Sequence, residues 1–308
     1  MKTIQPRQAA RFSRVETAWQ RLNWRTGDES TPIPRDSLLA ITVRIGYPWH
    51  SHATTQIKPM TTPTILLVDN GSSRAEAALN LRRLASDLST RSGLQVHPVS
   101  LQHADQIAAD QLEGIPAQTF SAFLETRLSR GERDFLALPL FFGPSRALSR
   151  FIPEQVARFE TVYGPISFRQ APILCPLPEG EPRLASLLRE QVITASGDQT
   201  PRRVILVDHG SPIPSVTAVR RYLADEMRRQ FGPETDLQEA VMERREGPEY
   251  DFNGELLESL LTRLAQADDT TPITLSLLFM SPGRHAGAGG DIETICERVR
   301  HIIFKQQG

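Results

Sequence analysis

Beyond residue 60 the chain alternates two hydrophobic patterns. Short runs that are apolar at every position, such as Ile65-Leu66-Leu67-Val68 and Val204-Ile205-Leu206-Val207, read as strands buried on both faces. Between them, apolar residues recur at three- and four-residue spacing, as at Ala78, Leu81, Leu84, Ala85 and Leu88, which is the period of an amphipathic helix. The pattern predicts strand 65–68, helix 74–88, strand 94–101, helix 119–128, strand 134–142, a helix from Pro153, strand 166–174 and helix 183–194. It continues with strand 203–207, helix 214–230, strand 236–243, helix 252–266, strand 272–280 and helix 291–304. Apolar strands separated by helices imply parallel sheets with right-handed crossovers and helices on both faces, an α/β fold.

The pattern repeats. Ile65-Leu66-Leu67-Val68-Asp69-Asn70-Gly71-Ser72 returns 139 residues later as Val204-Ile205-Leu206-Val207-Asp208-His209-Gly210-Ser211. Leu140-Phe141-Phe142-Gly143-Pro144-Ser145-Arg146-Ala147 returns at an offset of 138 as Leu278-Phe279-Met280-Ser281-Pro282-Gly283-Arg284-His285. A period this long marks a duplicated lobe rather than a solenoid unit. Two similar lobes are expected, 61–196 and 202–308, joined by the polar linker Ser196 to Arg202. The strand and helix at 166–194 have no counterpart in the second lobe, so either its sheet is smaller or the Arg183 helix packs across both lobes.

Residues 1–60 carry nine basic side chains against four acidic ones with little sustained hydrophobic period, and are expected to form a disordered extension. Met60 runs straight into the first strand and is an alternative start, in which case His50 and His52 have no role. The whole chain of 308 residues has 35 basic and 36 acidic side chains, a net charge of −1, so no overall field recruits nucleic acid. No apolar run approaches the roughly 18–20 residues of a membrane span, which argues against integral membrane contact. The two cysteines, Cys175 and Cys296, match no metal or redox spacing and suit unpaired thiols in a reducing, cytoplasmic setting.

In open parallel sheets, ligands bind beyond the carboxyl ends of the strands, where Asp69–Ser72, Asp208–Ser211 and Ser281–Asp291 would sit. Three features there combine: a strand ending in His209-Gly210-Ser211, a strand ending in Glu243, and a strand running through Pro282-Gly283-Arg284-His285 to Gly289-Gly290-Asp291-Ile292. Together with Ala171-Pro172-Ile173-Leu174-Cys175-Pro176-Leu177, they resemble the class II tetrapyrrole chelatases, especially the sirohydrochlorin cobaltochelatases and ferrochelatases. The resemblance spans Thr64 to about Ile303. It implies a two-lobed α/β fold with a cleft, and insertion of Co2+ or Fe2+ into a tetrapyrrole in cobalamin or sirohaem synthesis. The divalent metal would be a substrate, with no further cofactor, and the protein a monomer or homodimer.

Metal insertion replaces two pyrrole N–H protons with a divalent cation, so it calls for neutral imidazole to hold the ion and a base to carry protons away. On this reading His209 and His285 are the catalytic and metal-binding residues, and Glu243 is the proton acceptor or third ligand. Substrate contacts are assigned to Gly210, Ser211, Arg284 and Arg146, because arginine pairs with the carboxylates such macrocycles carry. Gly287, Gly289 and Gly290 offer backbone N–H groups to an anion, or else form a turn in which Asp291 caps the helix.

In the first lobe, alignment puts Asn70 in place of His209, Ala147 in place of His285 and Ser100 in place of Glu243. The chemistry would then belong to the second lobe, with the first as a wall. This departs from relatives whose active histidines lie in the first half. His97 and His103 are considered as substitute ligands, and His301 as a helix-surface residue. A different class of function is a non-catalytic carrier of a tetrapyrrole or metal. A hydrolase built on Asp208-His209-Gly210-Ser211 is set aside, since the Gly-x-Ser-x-Gly turn is absent.

Overall fold

The computed structural model describes residues 62–268, 270–281 and 283–306; the extension with His50 and His52, and the side chain of His301, lie outside what it describes. The first half runs β1 (Thr64–Asp69), α1 (Ala75–Ser92), β2 (Val96–Ser100), α2 (Phe120–Ser129), β3 (Asp134–Pro139), α3 (Ile152–Tyr163), β4 (Ser167–Gln170) and α4 (Pro182–Ala195). The second runs β5 (Arg203–Asp208), α5 (Pro214–Phe231), β6 (Asp236–Val241), α6 (Leu257–Ala267), β7 (Thr274–Leu277) and α7 (Asp291–Gln306).

Two parallel sheets result, ordered β2-β1-β3-β4 and β6-β5-β7. The two runs apolar at every position become the inner strands. Ile65 to Val68 on β1 and Val204 to Val207 on β5 are all buried, because an inner strand is covered on both faces. Pro98 falls on β2, an edge strand, where its missing N–H costs no ladder bond on the outer side. Strands predicted at 134–142 and 272–280 stop at Pro139 and Leu277. The next residues still donate to the neighbouring strand, Leu140 N to Val68 O at 2.7 Å and Leu278 N to Val207 O at 2.8 Å, before the chain leaves as a loop.

One face of the first sheet packs Leu66, Val68 and Ala137 against Phe120, Phe123, Leu124 and Phe159 of α2 and α3. The other packs Ile65 and Leu67 against Leu81 and Ala85 of α1. In the second lobe, α6 and α7 cover one face through Leu257, Leu260, Leu261, Ile292, Ile295 and Val299. The opposite face carries α5 together with α4, whose Ala185, Leu188 and Val192 join Val204, Leu206, Val219 and Leu223. The second sheet is thus the smaller, with three strands against four, and the Arg183 helix lies upon it. Both cysteines are free and buried, and burial pushes the Cys296 thiol up to about 11. Among the described residues, no helix is long and apolar enough to cross a membrane.

Candidate active site

β5 lies between β6 and β7, so the three segments leaving their carboxyl ends are neighbours. His209 follows β5, Glu243 lies just past β6, and His285 lies on the loop after β7. The structure brings all three together. The imidazole rings of His209 and His285 meet edge to face, with centroids 4.8 Å apart. His209 Nε2 is 3.2 Å from Glu243 Oε1, and His209 Nδ1 is 3.1 Å from the Gly210 carbonyl oxygen.

Both nitrogens of His209 therefore face oxygen. A carbonyl can only accept, so Nδ1 donates to Gly210 O, and Nε2 is turned to the Glu243 carboxylate. His285 Nδ1 is 2.6 Å from Asp291 Oδ2, a carboxylate–imidazole pair that directs the Nδ1 proton to Asp291 and leaves the Nε2 lone pair free. The sequence offers Asp291 as a helix cap. The signal for its role is an acid six residues after a histidine, at the start of a helix. His209 and Glu243 have about half their side-chain surface open to solvent, 45% and 65%, so the site is accessible to a large molecule.

The turn carrying His209 is held from beneath. Gly210 has φ +92°, and a Cβ there would lie 1.9 Å from the Glu243 carbonyl oxygen, so only glycine permits this approach of the two segments. Ser211 donates its backbone N–H to Asn253 Oδ1 at 3.0 Å, and its carbonyl accepts from Asn253 Nδ2 at 2.9 Å. Its hydroxyl accepts from Ile213 N at 3.1 Å. Asp208 is buried and paired with Arg220, whose guanidinium lies 2.7 Å from Asp208 Oδ1, 3.2 Å from Glu239 Oε2 and 2.6 Å from the Asn253 carbonyl oxygen. Burial raises the Asp208 carboxyl above its ordinary range, while Arg220 and the Gly210 N–H pull it down. Asn253 and Arg220 were missed in sequence because neither sits in a motif; only the fold brings them under the turn.

The remaining candidates fall into place differently. Gly210 and Ser211, expected to touch substrate, build the turn through the contacts above and stay partly exposed. The N–H groups of Gly287, Gly289 and Gly290 are satisfied internally, by Gly283 O, Glu293 Oε2 and Gly287 O, so they do not form the expected anion cradle. Arg284 is largely exposed, with its Nε 3.7 Å from Asp291 Oδ2, and Arg146 is exposed at the head of the helical turn before α3. Arg244 pairs with Asp251 at 2.9 Å.

The first lobe repeats the scaffold with one correction of register. Asp69 pairs with Ser100 as Asp208 pairs with Val241, so Ser100 matches Val241 and not Glu243. The counterpart of Glu243 is Gln102: a Cβ on Gly71 would lie 1.8 Å from the Gln102 carbonyl oxygen, as one on Gly210 would from Glu243. The offset grows from 139 to 141 between the first and second strands of the lobes, a slip that the side chains alone do not reveal. Asn70 and Ala147 keep their assigned places, so the first lobe still lacks both imidazoles and the acid. His97 lies within β2, within 3.5 Å of Arg127 and stacked near Phe123, and His103 sits exposed beyond it with φ +66°. Neither is among the contacts of His209 or His285. The first lobe does border the site, since a Cβ on Gly283 would lie 3.4 Å from Ser72 Oγ.

Asp69 occupies the place of Asp208 without an arginine beneath it, because Leu81 of α1 stands where Arg220 stands on α5. Its Oδ1 is buried with no partner, and burial pushes the carboxyl up to about 6, against hydrogen bonds from Ser100 and Gly71. A carboxyl raised in the fold binds its proton more tightly there than in the unfolded chain, so its stabilising effect is complete below about pH 4 and is lost as pH rises through about 6. Asp69→Asn is accordingly expected to raise the melting temperature at pH 8 and leave it nearly unchanged at pH 4. Equal shifts at the two pH values in calorimetry would contradict this.

Among the described residues, no group of three or more His, Cys, Asp or Glu side chains is arranged to hold a metal ion. The donor set is a pair of imidazoles, one of them joined to Glu243 and the other to Asp291. A cavity of about 870 Å³ lined by Arg202, Arg203, Arg228 and Arg229 lies at the opposite, amino ends of β5 and β6.

Residues 64–195 match the CbiX family model. The fold matches SirB from Bacillus subtilis with Fe3+ at a TM-score of 0.56 and 16% identity, over 78% of this chain and 84% of that one. The family match covers the first lobe alone, and the likeness to SirB is one of fold. A second solved structure, the sirohydrochlorin chelatase SirB from Bacillus subtilis subspecies spizizenii in complex with cobalt, matches at a TM-score of 0.45 and 15% identity, over 78% of this chain and 95% of that one. No curated protein matches the chain. The lobe matched by the CbiX model is the one without the imidazoles, so the matched segment and the His209–His285 pair lie in different lobes.

Proposed function

We propose that this chelatase-like protein inserts a divalent metal, Co2+ or Fe2+, into sirohydrochlorin or a related tetrapyrrole, in cobalamin or sirohaem synthesis in the cytoplasm. The observation that carries the reading is the convergence of His209, His285 and Glu243 at the carboxyl ends of three adjacent strands. The reaction takes in M2+ and a macrocycle with two N–H groups, and gives out the metallated macrocycle and two protons. The metal is a substrate, and no other cofactor is required.

Each residue has a task that follows from its contacts. His285, with Nδ1 tied to Asp291, presents Nε2 to the incoming ion. His209 and Glu243, 3.2 Å apart, take up a pyrrole proton and pass it to solvent, to which Glu243 is open. Arg284 and Arg146 supply charge for peripheral carboxylates. The first lobe, bordering the His285 loop through Ser72, encloses the macrocycle rather than reacting with it.

The test is anaerobic absorption spectroscopy of the full chain with sirohydrochlorin, adding Co2+ and then Fe2+. Spectral conversion faster than the protein-free control is expected. Tight binding of the macrocycle without acceleration would replace this reading with that of a carrier.

A further inference from the structure

We infer that Arg74 of the first lobe and Arg284 of the second form a two-armed clamp for the carboxylate edge of the macrocycle, at the seam beside His285; the inference rests on the tetrapyrrole reading above. The duplicated scaffold meets itself twice. In each lobe the loop after the third strand crosses to the segment that follows the other lobe's first strand. The loop after β7 reaches the β1 turn, where a Cβ on Gly283 would lie 3.4 Å from Ser72 Oγ. The loop after β3 reaches the start of α5, where a Cβ on Gly143 would lie 3.1 Å from the Val219 side chain and 3.7 Å from Val216 Cα.

The two crossings carry different chemistry at matched positions. Arg74 stands two residues beyond Ser72 and donates its backbone N–H to Ser72 Oγ at 3.1 Å, so its main chain lies at the first crossing. Arg284 directly follows Gly283 there. At the second crossing the offset of 139 puts Ile213 in the place of Arg74, and Arg146 stands without a second arginine. The seam with His285 therefore has an arginine from each lobe, and the seam with Ala147 has one arginine and an isoleucine. Neither guanidinium at the first seam is consumed by the fold. Arg74 is exposed and makes no side-chain ion pair among the described residues, not even with Glu76 in the first turn of α1. Arg284 has 76% of its side chain exposed, and its acidic neighbour, Asp291 at 3.7 Å, is held by His285 at 2.6 Å. Two cations brought to one seam from opposite lobes repel unless an anion lies between them. A carboxylate meets that need, because it accepts two parallel N–H bonds from one guanidinium, and a macrocycle edge with several carboxylates offers one to each arm.

The test titrates the full chain with sirohydrochlorin in the absence of metal, followed by absorption, and then measures initial rates of Co2+ insertion across macrocycle and metal concentrations. Arg74→Ala and Arg284→Ala are each expected to weaken macrocycle binding about tenfold, the effect of losing one hydrogen bond to a charged group. In Arg74→Ala the KM for macrocycle should rise by a similar factor while kcat and the KM for metal change less than about twofold, because the contact holds ground state and transition state alike. Arg74→Lys should fall between, since it keeps the charge and loses the fork. Arg91→Ala removes the same charge from the last turn of α1, about 25 Å away, and should bind as the unaltered chain does. If the unaltered chain binds sirohydrochlorin and Arg74→Ala binds it equally well, or Arg91→Ala loses as much, the clamp is overturned and the chelatase reading stands. An unaltered chain that neither binds nor metallates sirohydrochlorin would overturn both together.

Discussion

Arg220→Ala is expected to cost about 3–5 kcal/mol of stability, the usual consequence of removing one partner from a buried ion pair. The side chain is 2% exposed and meets Asp208, Glu239 and the Asn253 carbonyl at once. Glu239 retains Arg228 at 3.1 Å, so the loss falls mainly on Asp208, whose carboxylate is left buried with only the Gly210 N–H beside it. Asp208 is already raised by burial, and loss of the arginine raises it further. The variant should therefore be least impaired in acid, where Asp208 is protonated, and most impaired above neutral pH. Adding Asp208→Asn should recover part of the loss by removing the stranded charge. Urea unfolding at pH 5 and pH 8 measures both effects; a deficit below about 1 kcal/mol, or one independent of pH, would show that the pair is not what holds the turn.

His209→Ala and His285→Ala should each lower the rate of metal insertion by roughly 10²–10⁴, the range for loss of a positioned acid–base group. The two are not expected to be additive, since their rings touch and serve one reaction centre. Asp291→Asn should be milder, roughly 10–100-fold, the range for a partner that orients a ligand. It should act chiefly by raising the metal concentration needed for half-maximal rate, because it leaves Nε2 of His285 in place but no longer fixes its tautomer. Initial rates across a metal titration separate these effects. Retention of full rate by both histidine variants would remove the second lobe from the chemistry and leave the carrier reading.

Much of the architecture was legible in the residues. Strands β1 and β5 are recognisable as inner strands because an inner parallel strand is covered on both sides and reads as an unbroken apolar run. The matching backbone–Ser hydrogen bonds, Arg74 N–H to Ser72 Oγ and Ile213 N–H to Ser211 Oγ, both at 3.1 Å, repeat at the offset of 139 seen in the chain. His209, His285 and Glu243 were also visible, since turns after parallel strands share one end of the sheet. Ser100 was misplaced because matching it to Glu243 allows four residues gained between the strands where the ladders show two, and a slip of two leaves the alternation of side chains unchanged.

What the sequence by itself determined is the class of each element and the duplication, because these depend on local periodicity and on exact repetition. Tertiary structure alone decided that Asp291 would orient His285, that Arg220 and Asn253 would brace the His209 turn, and that α4 would cover the second sheet. Each of those depends on contacts between segments that are separated in sequence or set by turn geometry. A side chain's hydrogen-bond partner is settled by where folding brings it, and nothing in its own neighbourhood along the chain specifies that place.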